Sequence, residues 1–300
     1  MQLLYQAGQV GRTQIIPASS PPLLTDEGIV VPRDAVRFQT QYTEGAGSGV
    51  FMDYSIYGAI GESRPVGVGL DPPICTTAVG GPIGLPFSLR TAPQGFSSPI
   101  RNYIRHYPVA LRPGGYGLYS LKGSVDFTIE FWCMVEVGRL AKSGGIMIYG
   151  SNSSSPSSFD WYIGANLAVA PSSGSYPISF VYKRYINPTL IGQRITDIGA
   201  LSNTDPGTTR VGQWHHIAIV NGNGRLRMYC DGVLRSDIVG ETTDVYTDDT
   251  VTPAPLVVGN TLNGSTNEFG GRIGPCRIVK GYAMYTGPFT PPSAPFPIPR

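Results

Sequence analysis

Apolar and polar positions alternate with period two through most of the second half of the chain. In DFTIEFWCMVE at 126–136, Phe127, Ile129, Phe131 and Cys133 fall on one face and Thr128, Glu130 and Trp132 on the other. Alternation carried by β-branched and aromatic residues predicts a strand. GGIMIYG at 144–150, DWYIGA at 160–165 and PISFVYKRY at 177–185 predict three more, with SNSSSPSS at 151–158 as a loop. A meander is predicted next. WHHIAIV at 214–220 runs into NGNG, a hairpin loop, and RLRMYC at 225–230 returns with Leu226, Met228 and Cys230 inward and Arg225, Arg227 and Tyr229 outward. Asp231-Gly232 then supplies a two-residue type I′ turn, which needs positive φ at both positions, and VLRSDIV at 233–239 is the third strand. LVVGN at 256–260 and FGGRIGPCRIVKG at 269–281 add two more, whereas the five prolines of FTPPSAPFPIPR at 289–300 exclude a central strand there. No segment carries a capped 3.6-residue period. The turn spacing implies roughly ten to fourteen strands, and the fold class predicted is all-β, an antiparallel β-sandwich or jelly roll.

The first third of the chain lacks this regularity. ASSPP at 18–22 and EGAGSG at 44–49 are loop signals, and IIP at 15–17 and GIVVP at 28–32 read as isolated strands. DPPIC at 71–75 and GGPIGLP at 80–86 punctuate a stretch of extended chain. The predicted organisation is an irregular N-terminal arm or small annex over residues 1–70, serving attachment, and a jelly-roll domain over residues 71–300 with a proline-rich tail.

Composition sharpens this picture. With 39 Gly and 27 Pro in 300 residues the chain is rich in turns, and only 14% of it is charged. A net charge of +2 argues against a nucleic-acid binder that works by neutralising phosphates, so the Tyr-interleaved basic stretch RNYIRHY at 101–107 reads as a local contact surface. The opening residues hold no basic segment ahead of an apolar core, which predicts no secretory signal, and no apolar run is long enough for a membrane span. Cys75, Cys133, Cys230 and Cys276 are too widely spaced for a CxxC pair. Buried free thiols, formed in a reducing cytoplasm, are the expectation, with disulfides as the alternative.

Three blocks carry a family resemblance: DFTIEFW at 126–132, GQWHHIAIVNGNGRLRMYCDGVL at 212–234, and the run from LVVGN at 256 to the C-terminus. Together they resemble a laminin G-like, concanavalin A-like jelly roll over about residues 100–300. The middle block is the most specific: Trp-His-His, an apolar strand, a Gly-rich hairpin and Asp-Gly. The closing run GGRIGPCRIVKGYAMYTGPFTPPSAPFP resembles the last segment of such domains in tailed-bacteriophage proteins. Phe289 and Phe296 are expected to anchor this tail in grooves at the sheet edges and to cover an edge strand.

His215 and His216 are adjacent on a strand and point to opposite faces, so they form no metal site unaided; structural packing is the expected role. Glu130 and Glu136 share a strand face, as a glycosidase pair does, yet the Glu-x-Asp-x-Glu run of the glucanases in this superfamily lacks its central Asp here. Neither GxSxG nor a strand-following GxGxxG occurs. No catalytic residue, metal ligand or cofactor is therefore assigned, and calcium, common in laminin G-like domains, has only Asn203, Asp205, Asp244, Asp248 and Asp249 as loop candidates. Trp161, Tyr162 and Tyr176 are the possible ligand-contact aromatics near the sandwich rim, against the plainer reading of core packing. The resemblance implies a non-enzymatic structural or adhesive virion protein of a tailed phage, assembled in the host cytoplasm. It would be a capsid decoration or accessory subunit with a lectin-like domain, a homo-oligomer, joined to other virion proteins through its N-terminal arm. A tail-fibre or tail-tip protein binding a host glycan, and a free carbohydrate-binding lectin, are the alternatives.

Overall fold

The segment with the clearest alternation becomes β9 (Phe127–Val135), and it lies at the centre of one of two large sheets. The computed structural model describes residues 23–24, 30–42, 50–55, 60–64, 74–76, 81–85, 88–90, 103–106, 119, 121, 126–136, 144–150, 159–165, 178–186, 189–198, 212–239, 256–259 and 269–297. In spatial order the first sheet runs β13 (Thr189–Ile198), β12 (Ile178–Ile186), β11 (Phe159–Ala165), β10 (Gly144–Gly150), β17 (Leu256–Val258), β8 (Tyr103–His106), β5 (Ile60–Arg64) and β4 (Val50–Met52). The second runs β16 (Val233–Val239), β15 (Arg225–Cys230), β14 (His215–Gly222), β9, β18 (Gly271–Lys280), β7 (Ser88–Arg90) and β6 (Ile74–Thr76), with β3 (Val36–Thr40) also paired to β18. Every pairing in both sheets is antiparallel, from β10 with β11 to β18 with β9. The fold is a concanavalin A-like antiparallel β-sandwich. A two-stranded ribbon, β1 (Leu23–Leu24) with β2 (Val30–Val31), lies outside both sheets.

The core sits between the sheets and is made by the predicted faces. Phe127, Ile129, Phe131 and Cys133 of β9, Ile217 and Ile219 of β14, and Leu226, Met228 and Cys230 of β15 meet Met147, Tyr149, Trp161, Ile163 and Phe180 of the first sheet. The two hairpin turns follow from their residues. Asn223-Gly224 and Asp231-Gly232 all have positive φ, the backbone that a two-residue type I′ turn requires and that Asn, Asp and Gly tolerate best. Asn221 and Gly222 belong to β14 rather than to the loop.

Three expectations change. Residues 1–70 are not one arm: β3 pairs with β18, β4 and β5 pair with each other and β5 with β8, so the chain enters the sandwich well before residue 70. Short, partly polar strands with little alternation hide this, because their partners lie far along the chain. Within RNYIRHY, Tyr103–His106 is a strand rather than a contact surface, since β8 bridges β5 and β17 and buries Ile104 and His106. Pro275 lies inside a central strand, accommodated by a register shift between Ile273 and Cys276. On its other edge β18 pairs β7 before that shift and β3 after it, so the missing N–H falls where the ladder changes partner. Finally, the structure places eighteen strands among the described residues, above the expected number, because several have only two or three residues.

Candidate functional site

The outer face of the second sheet holds the densest chemistry. Period-two geometry puts Thr128, Glu130 and Trp132 opposite to the core-facing row, yet all of β9 is buried. The cover is the tail. Val31, Ala35, Val36, Ala218, Val220, Tyr229, Val279, Met284 and Tyr285 form a second apolar cluster, with Tyr282, Ala283 and Phe289 packed on it. Phe289 stacks on Tyr285 at 3.6 Å between centroids and meets the rings of His216 and Tyr229 edge-on. Polar ties fasten the same segment. Thr128 Oγ1 donates to the Tyr282 carbonyl (3.0 Å) and accepts the Met284 N–H (2.9 Å). Gln39 and Gln41 side-chain amides donate to the Phe296 carbonyl at 3.1 and 3.0 Å, and the Arg277 guanidinium lies 4.4 Å over the Phe296 ring. Phe289 and Phe296 are anchors, as expected; the surface they cover is a sheet face rather than an edge.

Glu130 lies beneath that cover, fully buried. Its Oε1 accepts from Arg277 Nε (2.8 Å) and Nη2 (2.5 Å), and its Oε2 accepts from the Tyr285 hydroxyl (2.8 Å) and lies 3.2 Å from His216 Nε2. Burial alone would raise the carboxyl's pKa; the Arg277 charge and the His216 hydrogen bond outweigh it and hold the group at about 2. Such a carboxylate neither carries a proton nor meets a substrate. Glu136 is engaged elsewhere, with Arg272 Nε at 2.7 Å. The structure thus ties the two glutamates to different arginines, and the carboxylate pair considered from the sequence is not a working pair.

His215 faces the other way, as the alternation requires. Its Nδ1 lies 2.6 Å from Asp231 Oδ2, while Asp231 Oδ1 accepts the His216 N–H at 2.8 Å. The Asp-Gly turn is thereby tied to the head of β14. Cys230 is adjacent, and one donor atom from each of His215, Cys230 and Asp231 lies within 4.8 Å of the other two. Sequence reasoning missed this grouping because the turn folds 230–231 back onto 215. The Asp231 oxygens are spent on the two histidines, and burial keeps the Cys230 thiol protonated, so the group reads as a structural corner. Cys133 and Cys276 are also free and buried, with their thiols pushed up by burial; Cys75 lies in β6.

The three aromatics picked from the sequence separate. Trp161 is a core residue of β11, fully buried, with its indole N–H donating to the Tyr119 carbonyl at 2.9 Å. It offers no exposed face, because β11 turns it between the sheets. Tyr162 follows it on the opposite face of the first sheet and is half-buried, with burial pushing its phenol up to about 12. Tyr176, and the calcium candidates Asn203, Asp205, Asp244, Asp248 and Asp249, lie outside the described residues.

Comparison with known proteins agrees with this geometry. Several solved structures share the architecture. The binding domain of botulinum neurotoxin serotype C1 is 13% identical, with a TM-score of 0.52 over 84% of this chain and 50% of that one. A botulinum neurotoxin type C structure, whose cell entry depends on interaction with two ganglioside molecules, is 14% identical, with a TM-score of 0.51 over 84% and 49%. Domain 4 of an extracellular arabinanase from Geobacillus stearothermophilus, in complex with arabinotriose, is 16% identical, with a TM-score of 0.46 over 83% and 94%. This chain spans about half the length of the neurotoxin chains, and at these identities the likeness is one of fold. No curated protein matches the chain by sequence. The laminin G model of the concanavalin A-like lectin/glucanases superfamily matches residues 117–283, which takes in β9, the Trp-His-His meander and the strand that carries Arg277. With its sandwich, its meander and more than half of its length matched, the chain belongs to the concanavalin A-like lectin/glucanases superfamily.

Proposed function

We propose that this is a non-enzymatic adhesive or structural virion protein of a tailed bacteriophage, with its lectin-like sandwich displayed on the particle as a capsid decoration or accessory subunit. The observation that carries the reading is the closing block. Gly271–Lys280 is a central strand, and residues 281–297 continue from it as a tail sealed onto the sheet by Phe289 and Phe296. This is the segment whose sequence resembles phage proteins. The chemistry supports a binding role, because Glu130 is locked in its ion pair with Arg277 under that tail. The tail covers the outer face of the second sheet over β9, β14 and β18, so the outer face of the first sheet, where Tyr162 of β11 sits, is the candidate surface for a carbohydrate ligand. Residues before Val30 are the candidate attachment segment, and the protein acts as a homo-oligomer.

A tail-fibre or tail-tip role, with a host glycan as ligand, is the second reading. It draws on the fold shared with botulinum neurotoxin type C, whose cell entry depends on interaction with two ganglioside molecules. Cryo-electron microscopy of the purified virion separates the two. Density for this sandwich over the capsid lattice supports decoration; density at the tail, together with saturable binding on a glycan array that Tyr162→Ala weakens at least tenfold, supports the second. A virion without this chain overturns both.

A further inference from the structure

We infer that Arg90 and Arg272 form a binding site for the carboxylate group of an acidic ligand, at the end of the second sheet. Arg90 of β7 and Arg272 of β18 face each other directly across the ladder. Like charges in directly opposed positions repel, and a guanidinium does not lose its proton to relieve this. Glu136, which follows β9, stands between them. Its Oε1 accepts from Arg272 Nε at 2.7 Å, and Arg272 Nη1 donates to Ser88 Oγ at 3.3 Å. Arg90 has only a 3.7 Å approach of its Nη2 to Glu136 Oε2, too long for a hydrogen bond, and its Nε is buried without a partner. Among the described residues two guanidiniums therefore share one carboxylate, and one of the two donates no hydrogen bond.

The place of this pair in the fold leaves it reachable. The tail is tied to Thr128, to Gln39 and to Arg277, on the part of β18 that pairs β3. Arg272 lies on the other side of the Ile273–Cys276 register shift, where β18 pairs β7. The turn Gly81–Leu85 packs between the two regions. A Cβ on Gly274 would lie 2.7 Å from the Pro82 ring and 3.1 Å from Trp132 Cβ, so only glycine admits the turn there. The turn is closed by the Gly81 N–H on the Leu85 carbonyl at 2.7 Å and by the Leu85 N–H on the Pro82 carbonyl at 3.1 Å. It holds Ile83 at φ +52, a left-handed conformation that β-branched residues resist and that gathers at ligand clamps. Toward the sheet's end the side chains of Arg90 and Glu136 are 22% and 14% exposed, against 3% for Arg272. Solvent thus reaches a positive charge that is only half balanced, and a partly buried charge is costly until it is paired. The balance selects the ligand. One further single negative charge makes the cluster neutral, and the planar guanidinium fork matches the two oxygens of a carboxylate.

The test is calorimetric titration of the full chain with acetate, glucuronate and glucose at constant ionic strength. Both carboxylates are expected to bind at one site per chain and glucose is not. Tighter binding of glucuronate than of acetate makes an acidic sugar the source of the carboxylate; equal binding makes it a free small acid. Arg90→Gln is expected to weaken glucuronate binding at least tenfold. Stability separates this role from a merely structural one. Without ligand, Arg90→Gln keeps or raises the urea midpoint, because it removes the repulsion with Arg272. Glucuronate raises the midpoint of the parent, as a ligand of the native state alone must, and leaves that of the variant unchanged. No heat and no midpoint shift at about 100 mM glucuronate, far above a millimolar Kd, overturns the inference. So does binding indifferent to Arg90→Gln, or a midpoint that this substitution lowers in the absence of ligand. The site is separate from the Tyr162 surface, so its failure leaves the functional reading standing, and a virion without this chain leaves the carboxylate site standing.

Discussion

At the scale of single residues, the sheet-face carboxylate Glu130 is held on both oxygens. Three side chains converge on its two oxygens, and the tail closes over them. Removing one partner from a buried ion pair leaves the other charge uncompensated, which costs about 3–5 kcal/mol. Glu130→Gln is therefore expected to lower the denaturant midpoint sharply, with no hydrolytic activity gained or lost. Glu130→Leu combined with Arg277→Met should recover part of that loss, since it removes both charges at similar volume. Equal stability of the parent and Glu130→Gln in a urea titration would mean that the pair contributes nothing. The sequence placed Glu130 on the right face of the strand. It carried no sign that this face is buried, because the cover arrives from residues 282–297, some 150 positions later.

At the scale of elements, the decisive contact is between the β15–β16 turn and the tail. Gly232 has φ +76, and a Cβ built there would lie 1.7 Å from the Phe289 carbonyl oxygen. The Phe289 N–H also donates to the Gly232 carbonyl at 3.1 Å. The turn residue is thus selected twice, by backbone conformation and by the close approach of the tail. Gly232→Ala is expected to cost more than about 1 kcal/mol and to loosen the segment after Tyr285. Limited proteolysis, with cleavage near Phe289 appearing in the variant and not in the parent, is the check. An uncut tail in a destabilised variant would assign the effect to the turn alone. The positive φ was legible from Asp-Gly in the sequence; the steric reason was not, because it depends on where a proline-rich segment packs.

At the scale of the whole molecule, two buried groups among the described residues contribute to the response to pH. His106, held among Phe38 and the core strands, is kept neutral by burial, its pKa lowered from 6.5 to about 3. As the pH falls below 6.5, the unfolded chain takes up a proton that the fold refuses, so stability declines from 6.5 toward 3. Glu130, lowered from 4.5 to about 2, adds stability that is present above 4.5 and lost as the pH falls through 2. Both act in one direction, toward a fold stable at neutral pH and labile in acid. His106→Phe should flatten the upper part of this decline, so that its urea midpoint changes less between pH 7 and pH 5 than the parent's. Identical slopes would show that His106 is not the group responsible.

By itself the sequence determined the fold class, the three strands of the Trp-His-His meander, the positive φ of its Asp231-Gly232 turn and the core-facing rows of β9 and β15. Each of these rests on a period, a turn residue or a local hydrogen bond, and all act over a few positions. The tertiary structure alone decided which polar faces are buried, that β3, β4 and β5 belong to the sandwich, that Trp161 is core while Tyr162 is not, and that Glu130 serves Arg277 rather than a substrate. Those outcomes depend on pairings between segments far apart in the chain. Local alternation places a side chain on a face, but only the partner that packs there decides whether that face meets water.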